Sequence, residues 1–217
     1  RRLIETVYSW YDMSDWHGPI HQFTPVNPER PWWRNRASFV PALRQATETA
    51  LAAAPLLESD ACYQRDLVDI AKEYAGNVVT AATIRLWSAQ EEEEFESAAQ
   101  EVLIGIDAVE RIAAVLPEYR MQEEIERAVA PPFEIPRQQA RCEIRTRYTV
   151  LIDFEHYDTL LDYARRDMYE LVRHYYRPRV QILIEHLREC LRTRRRPSQE
   201  WLHDNCRELA RRFIEDS

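Results

Sequence analysis

Leu161-Asp162-Tyr163-Ala164-Arg165-Arg166-Asp167-Met168-Tyr169-Glu170-Leu171-Val172-Arg173-His174-Tyr175-Tyr176-Arg177-Pro178-Arg179-Val180 is the stretch on which the fold class is decided. Apolar side chains at 161, 164, 168, 171 and 175 recur at steps of three and four. They therefore share one face of a helix and leave Arg165, Arg166, Glu170 and Arg173 for the others. Asp158 is a suitable N-cap, so the spacing predicts one long helix from there through Tyr176. Pro178 should kink it before Val180, Leu183, Leu187 and Leu191 carry it onward.

Outward from that run, most of the chain also reads as helix. Residues 9–37 are the exception: Pro19, Pro25, Pro28 and Pro31 are interspersed with Trp10, Trp16, Trp32 and Trp33. Long irregular segments in compact domains serve a site or cover another surface, and four tryptophans argue that this one is packed. Ser38 is the expected cap of the next helix, with Pro41 tolerated in its first turn and Pro55 as its end. Ser59 or Asp60 caps a longer helix reaching toward Gln90, with an apolar stripe of Leu67, Ile70, Tyr74, Val78, Ala81 and Leu86. Glu91 to Glu94 reads as a solvated face or a first turn, where carboxylates favour the positive helix end. A helix from about Ser97 to Leu116 follows, then a shorter one over 118–129. Beyond Pro131, Pro132 and Pro136, Arg137 opens a helix to Tyr148; Thr149 to Asp158 forms a loop; a last helix follows Ser198. The expected fold is all-α: one helical domain over 1–217, with a helix end and packed irregular segment (1–37) leading into an antiparallel array (38–217) of about six to eight helices.

Composition narrows the function. Three glycines (Gly18, Gly76, Gly105) leave no room for a dinucleotide fingerprint or a phosphate loop, so no nucleotide cofactor is expected. The formal net charge is −8, and Lys72 is the only lysine. Arg192, Arg194, Arg195 and Arg196 cluster before Pro197, where cations offset the partial negative charge of a helix C-terminus; a nucleic-acid interface would need a domain-wide positive field. No run approaches a membrane span of roughly 20 apolar residues. Leu3, Ile4, Val7 and Tyr8 have helical spacing with no capping residue ahead of them, so the chain is expected to start inside a helix of a longer polypeptide.

Constellations that might carry chemistry are sparse. His17 and His21 have the spacing of two zinc ligands on a helix, but Gly18-Pro19 between them breaks that helix, and no metal is expected. Cys62, Cys142, Cys190 and Cys206 form no C-x-x-C pair. Cys190 and Cys206 flank the turn at Pro197 at near-equal distances, which leaves a disulfide open if the last two helices pair. His186 lies one turn before Cys190, as a base beside a thiol would, although both read more simply as packing residues. Acid–base catalysis by paired carboxylates needs two of them roughly 5 to 9 Å apart, and nothing in the spacing selects such a pair, so no catalytic residue is assigned.

Several ordered blocks carry a family resemblance. Val7-Tyr8, Trp33-Arg34-Asn35-Arg36, Ala52-Ala53-Ala54-Pro55, Tyr63-Gln64-Arg65-Asp66-Leu67-Val68-Asp69, Leu161-Asp162-Tyr163-Ala164 and Tyr175-Tyr176-Arg177-Pro178-Arg179 follow one another as in family 89 glycoside hydrolases, the α-N-acetylglucosaminidases. From about Leu3 to about Leu191 the chain resembles their C-terminal helical domain. That resemblance implies a domain packed on a (β/α)8 barrel of the same polypeptide, with the catalytic glutamate pair on the barrel. It also implies a retaining mechanism acting on a glycan with a terminal α-linked N-acetylglucosamine, and a secreted or extracytoplasmic location.

In that family the helical domain lends side chains to the pocket rim: a tryptophan of a T-x-W-G loop, an aliphatic residue at the next helix start, and the tyrosine of L-D-Y-A. The last two match Leu160 and Tyr163. The tryptophan has no counterpart, because Thr149 is followed by Val150, Leu151, Ile152 and Asp153. Phe154 or Tyr157 can supply the aromatic platform instead, or both fill the core of the loop. Met168 and Glu170 stand where the family has a tryptophan and a glycine, and Arg179-Val180 where it has arginine and tryptophan. These departures allow a divergent or inactive member. A rival reading is a helical interaction module without a catalytic partner, binding protein through the tryptophan-rich segment 9–37.

Overall fold

The structure is a computed structural model that describes residues 38–149 and 168–215, and every regular element among them is helical. Helix α1 (Val40–Leu57) has Phe39, not Ser38, at its N-cap, with Pro41 in the first turn. Pro55 does not end the helix: in the last turn it forfeits one hydrogen bond to Leu51, and the Glu58 N–H still closes on the Ala54 carbonyl at 2.9 Å. Helix α2 (Ala61–Ser88) opens at Asp60, whose carboxylate accepts the Tyr63 N–H at 2.9 Å. Its expected stripe is only partly right. Ile70 and Leu86 are buried, but Leu67, Tyr74, Val78 and Ala81 are half-buried, and Val68, Ala75, Val79 and Ala82 are buried instead. The reason is that α2 lies between α1 and α3 and buries two faces, which a single-stripe reading undercounts.

Helix α3 (Glu92–Ala113) starts ahead of Ser97 and stops short of Leu116, with Glu92, Glu93 and Glu94 in its first turn. It packs closely along α2. A Cβ on Gly105 would lie 2.4 Å from Val79 Cγ2, so the glycine is what admits this approach. The helix expected over 118–129 is split into a 3-10 turn (Pro117–Tyr119) and α4 (Met121–Val129). That turn is pinned to the start of α2. Arg65 pairs with Glu118 at 2.7 Å and the Tyr119 hydroxyl donates to Asp69 at 2.7 Å. Lys72, only 6% exposed, sits 3.6 Å above the Tyr119 ring and 3.3 Å from Asp69. Burial and the Asp69 bond push the Tyr119 phenol up. Helix α5 (Arg137–Thr149) pairs with α4, and Arg137 grips Glu126 with two bonds of 2.6 and 2.7 Å.

The single helix expected from Asp158 through Tyr176 does not pass through Met168. Met168 is extended (φ −74°, ψ 142°), followed by a short α turn (Tyr169–Leu171), a π turn (Val172–Tyr176) and α6 (Arg177–Thr193). Met168, Leu171, Val172 and Tyr175 are all buried, so the periodicity identifies the buried face correctly and misses the break in the backbone. In place of a plain proline kink, the Arg177 N–H reaches the Val172 carbonyl five residues back. This widening precedes Pro178, whose ring would otherwise crowd the carbonyl four residues earlier. Asp158, the expected cap, lies outside the described residues.

Arg194 closes α6 in the left-handed region (φ 52°), and the Arg194 and Arg195 N–H groups return to Leu191 and Cys190 carbonyls at 3.3 and 2.9 Å. Helix α7 (Gln199–Glu215) follows, with the Ser198 hydroxyl accepting the Trp201 N–H at 3.2 Å. Residues from α2 to α7 build one main core, whereas α1 adds a separate small cluster of Ala46, Ala50 and Ile70, with Leu67 against it. No described helix is long and apolar enough to cross a membrane.

Candidate functional site

The expected rim residues Phe154, Tyr157, Leu160 and Tyr163 lie outside the described residues, as do His17 and His21. What the structure describes is the surroundings of the residues that flank this segment, Thr149 and Met168. Both points are in the main core: Tyr148 is 2% exposed and Met168 2%. The Tyr148 hydroxyl donates to Glu124 at 2.5 Å, which holds the last turn of α5 against α4, and the Thr149 hydroxyl donates within α5 to the Arg145 carbonyl at 2.9 Å.

On the return side, charge and aromatic contacts dominate. Glu170 accepts the Met121 N–H at 2.8 Å and faces the Gln122 N–H at 3.4 Å, placing a carboxylate on the N-terminus of α4. The guanidinium groups of Arg120 and Arg173 each lie 5.7 Å from the centre of the Tyr169 ring, and Arg173 donates to its hydroxyl at 2.5 Å. Arg173 also meets Glu110 at 3.3 Å, and Arg177 meets Asp107 at 2.6 Å, tying this turn to α3. Arg179, 1% exposed, packs its guanidinium 4.9 Å from the Tyr175 ring and 5.9 Å from the Tyr176 ring. Burial, reinforced by Arg173 and Arg145, holds the His174 imidazole below its ordinary value.

The other sequence candidates resolve as structure. Cys190 and Cys206 are both buried free thiols, so the disulfide left open by their spacing is not formed. His186 approaches Cys190 Sγ at 3.7 Å, yet its Nε2 accepts the Ser198 N–H at 3.0 Å and its ring stacks on Trp201 at 4.4 Å. Burial pushes the Cys190 thiol up and the His186 imidazole down, the reverse of an activated thiolate and its partner. Among the described residues no group of three or more His, Cys, Asp or Glu side chains is placed to hold a metal ion. Sequence reasoning missed Glu170 and Arg179 as structural keys. Arg179 falls four residues from both Tyr175 and Leu183, on the buried face, which was a readable signal. Glu170 had none, because its partners lie 48 and 49 residues away.

The family model for the alpha-N-acetylglucosaminidase (NAGLU) C-terminal domain matches residues 1–217. The chain belongs to this family. Among solved structures, this NAGLU C-terminal domain is similar to a family 89 glycoside hydrolase from Clostridium perfringens in complex with PUGNAc, with 19% identity, 82% of this chain covered and a TM-score of 0.67. The same description, in complex with 2-acetamido-1,2-dideoxynojirmycin, gives 19% identity, 81% coverage and a TM-score of 0.63. At that identity the likeness establishes the fold of the helical domain. The chain spans 20% and 23% of the length of those two structures. A search of curated proteins finds no match.

Proposed function

We propose that this chain is the C-terminal helical domain of a glycoside hydrolase resembling α-N-acetylglucosaminidase, packed on a catalytic barrel of the same polypeptide and contributing to the rim of its substrate pocket. Membership of the NAGLU C-terminal domain family over the whole chain carries this reading. The catalytic glutamate pair belongs to the barrel, outside these 217 residues. The substrate is a glycan ending in α-linked N-acetylglucosamine. On the rim, the Tyr163 phenol hydrogen-bonds a sugar hydroxyl, Leu160 packs beside it, and Phe154 or Tyr157 offers an aromatic face. Burial of Tyr148 and Met168 on either side of 150–167 supports this role, since a rim is useful only when held from a rigid base.

The deciding experiment assays the isolated chain and its parent polypeptide on an aryl α-N-acetylglucosaminide. The parent should hydrolyse it and the isolated chain should not; an inert parent, or an active isolated chain, overturns the proposal. In the parent, Tyr163→Phe should raise the barrier by about 0.5 to 3 kcal/mol with an unchanged melting temperature. Unchanged kinetics with a lowered melting temperature would assign Tyr163 to the core.

A further inference from the structure

We infer that the cleft between α4 and α5 is a binding site for a small organic monocarboxylate with an apolar body, whose charged end is taken by Arg127 and Arg147. The inference is independent of the hydrolase reading, since it is read out by binding and not by turnover.

The cleft has a volume of about 430 Å³, within the range of small-molecule sites. Its base is apolar: Ala140 and Ile144 of α5 are buried in the main core, and Ile135 is half-buried against it. The connection from α4 to α5 builds one wall. Glu134 takes the left-handed region (φ 50°), and the Ile135 N–H returns to the Ala128 carbonyl at 3.0 Å, so the chain turns back on α4. Phe133 is left beside the cleft, 69% exposed. A ring so exposed forgoes burial that a flat apolar ligand would supply.

Charge selects the kind of ligand. Arg127, Arg147, Glu124 and Glu143 all line the cleft, two of each sign. The carboxylates are already engaged: Glu124 accepts the Tyr148 hydroxyl at 2.5 Å, and Glu143 accepts the Gln139 side-chain amide at 2.8 Å. The guanidinium groups are not. Among the described residues neither forms an ion pair; Arg127 donates only its Nε–H, to the Glu123 carbonyl at 3.3 Å, and Arg147 makes no hydrogen bond. Unused donors beside an apolar base call for an acceptor on an apolar body, and a carboxylate matches the forked edge of a guanidinium. Glu124 and Glu143 also set a limit. Beside them a single negative charge is accepted more readily than a phosphate dianion, which they repel twice over.

The test is calorimetric titration of the parent polypeptide with phenylacetate, with its uncharged isostere phenylacetamide and with inorganic phosphate. Phenylacetate should bind with a dissociation constant on the order of 1 mM, as expected for so small a ligand. Phenylacetamide and phosphate should each bind at least about tenfold more weakly. Combining Arg127→Ala with Arg147→Ala should weaken phenylacetate by about tenfold or more, and Phe133→Ala by roughly threefold. Melting temperatures should stay unchanged, because all three side chains are exposed. Arg147→Gln is read in place of the double variant if that variant fails to fold. An absence of saturable binding, or phenylacetamide or phosphate binding as tightly as phenylacetate, would overturn the inference. So would binding undiminished in the arginine variants, which would assign it to another part of the parent.

Discussion

Helix α2 is gripped in two different ways on its two sides. Toward α3 it presents Val79, Ala82 and Leu86 to Val102, Ile106 and Phe95 in the main core, and Gly105 brings the two backbones together. Toward α1 it offers Ile70 to Ala46 and Ala50, a small cluster supplemented by the Tyr63 hydroxyl donating to the Ala50 carbonyl at 2.7 Å. The outer side of α1 leaves Leu51 53% and Leu56 86% exposed. Both partners are long, regular helices, so helix content does not distinguish them. What differs is whether another layer lies behind: α3 has α6 behind it, and α1 has no comparable partner among the described helices.

The largest expected effect sharpens that contrast. Phe95→Ala should cost about 3 to 5 kcal/mol, whereas Ile70→Ala should fall near the lower end of the 2 to 5 kcal/mol range for such truncations, because the small cluster can collapse onto the gap. Urea unfolding gives both numbers. Hydrogen exchange adds a test of independence: with Ile70→Ala, α1 amides should exchange through local opening while α3 amides stay protected. Equal losses with no local opening would make the two sides of α2 one cooperative unit.

Gly105→Ala comes next. Overpacking against Val79 should cost about 1 to 3 kcal/mol, partly offset by roughly 1 kcal/mol of helix propensity. Adding Val79→Ala should recover stability relative to the sum of the single changes, and an additive pair would show that the glycine does not set the α2–α3 spacing.

A smaller effect is pH-dependent. Burial depresses the His186 imidazole below its ordinary 6.5, so the unfolded chain takes up the proton first. Stability from this group is therefore complete above about pH 6.5 and is lost as pH falls through that value toward the folded-state pKa. Denaturant midpoints across this window should drop further for the native chain than for His186→Gln; parallel curves would remove His186 from the acid response. Least of all, Arg194→Gly should raise stability by about 0.5 kcal/mol, as relief of the left-handed backbone slightly exceeds the entropy glycine adds to the unfolded chain. Thermal melts of the two proteins would check it.

Much of this fold was legible in local chemistry. Asp60 as one of two candidate caps, the Arg137 helix start and the last helix after Ser198 all depend on neighbouring residues, so spacing exposes them, whereas the helix expected from about Ser97 in fact begins at Glu92. The extended backbone at Met168 was not legible, because the apolar spacing of the sequence runs through this position unchanged. Nor was the true span of α1, where a proline near a helix end costs too little to stop it. The rim residues Phe154, Tyr157, Leu160 and Tyr163 rest on sequence resemblance alone, and the described fold speaks only to the anchors on either side of them.

By itself the sequence determined that this chain is helical, where some of its helices begin, and that its motif blocks follow those of family 89 enzymes, because caps, periodicity and block order are properties of neighbouring residues. Tertiary structure alone decided that α2 buries two faces, that Glu170 caps a helix 49 residues away and that Lys72 rests on Tyr119. Those outcomes depend on which surfaces meet, and the free energy of burial and charge pairing is defined only once distant segments are in contact.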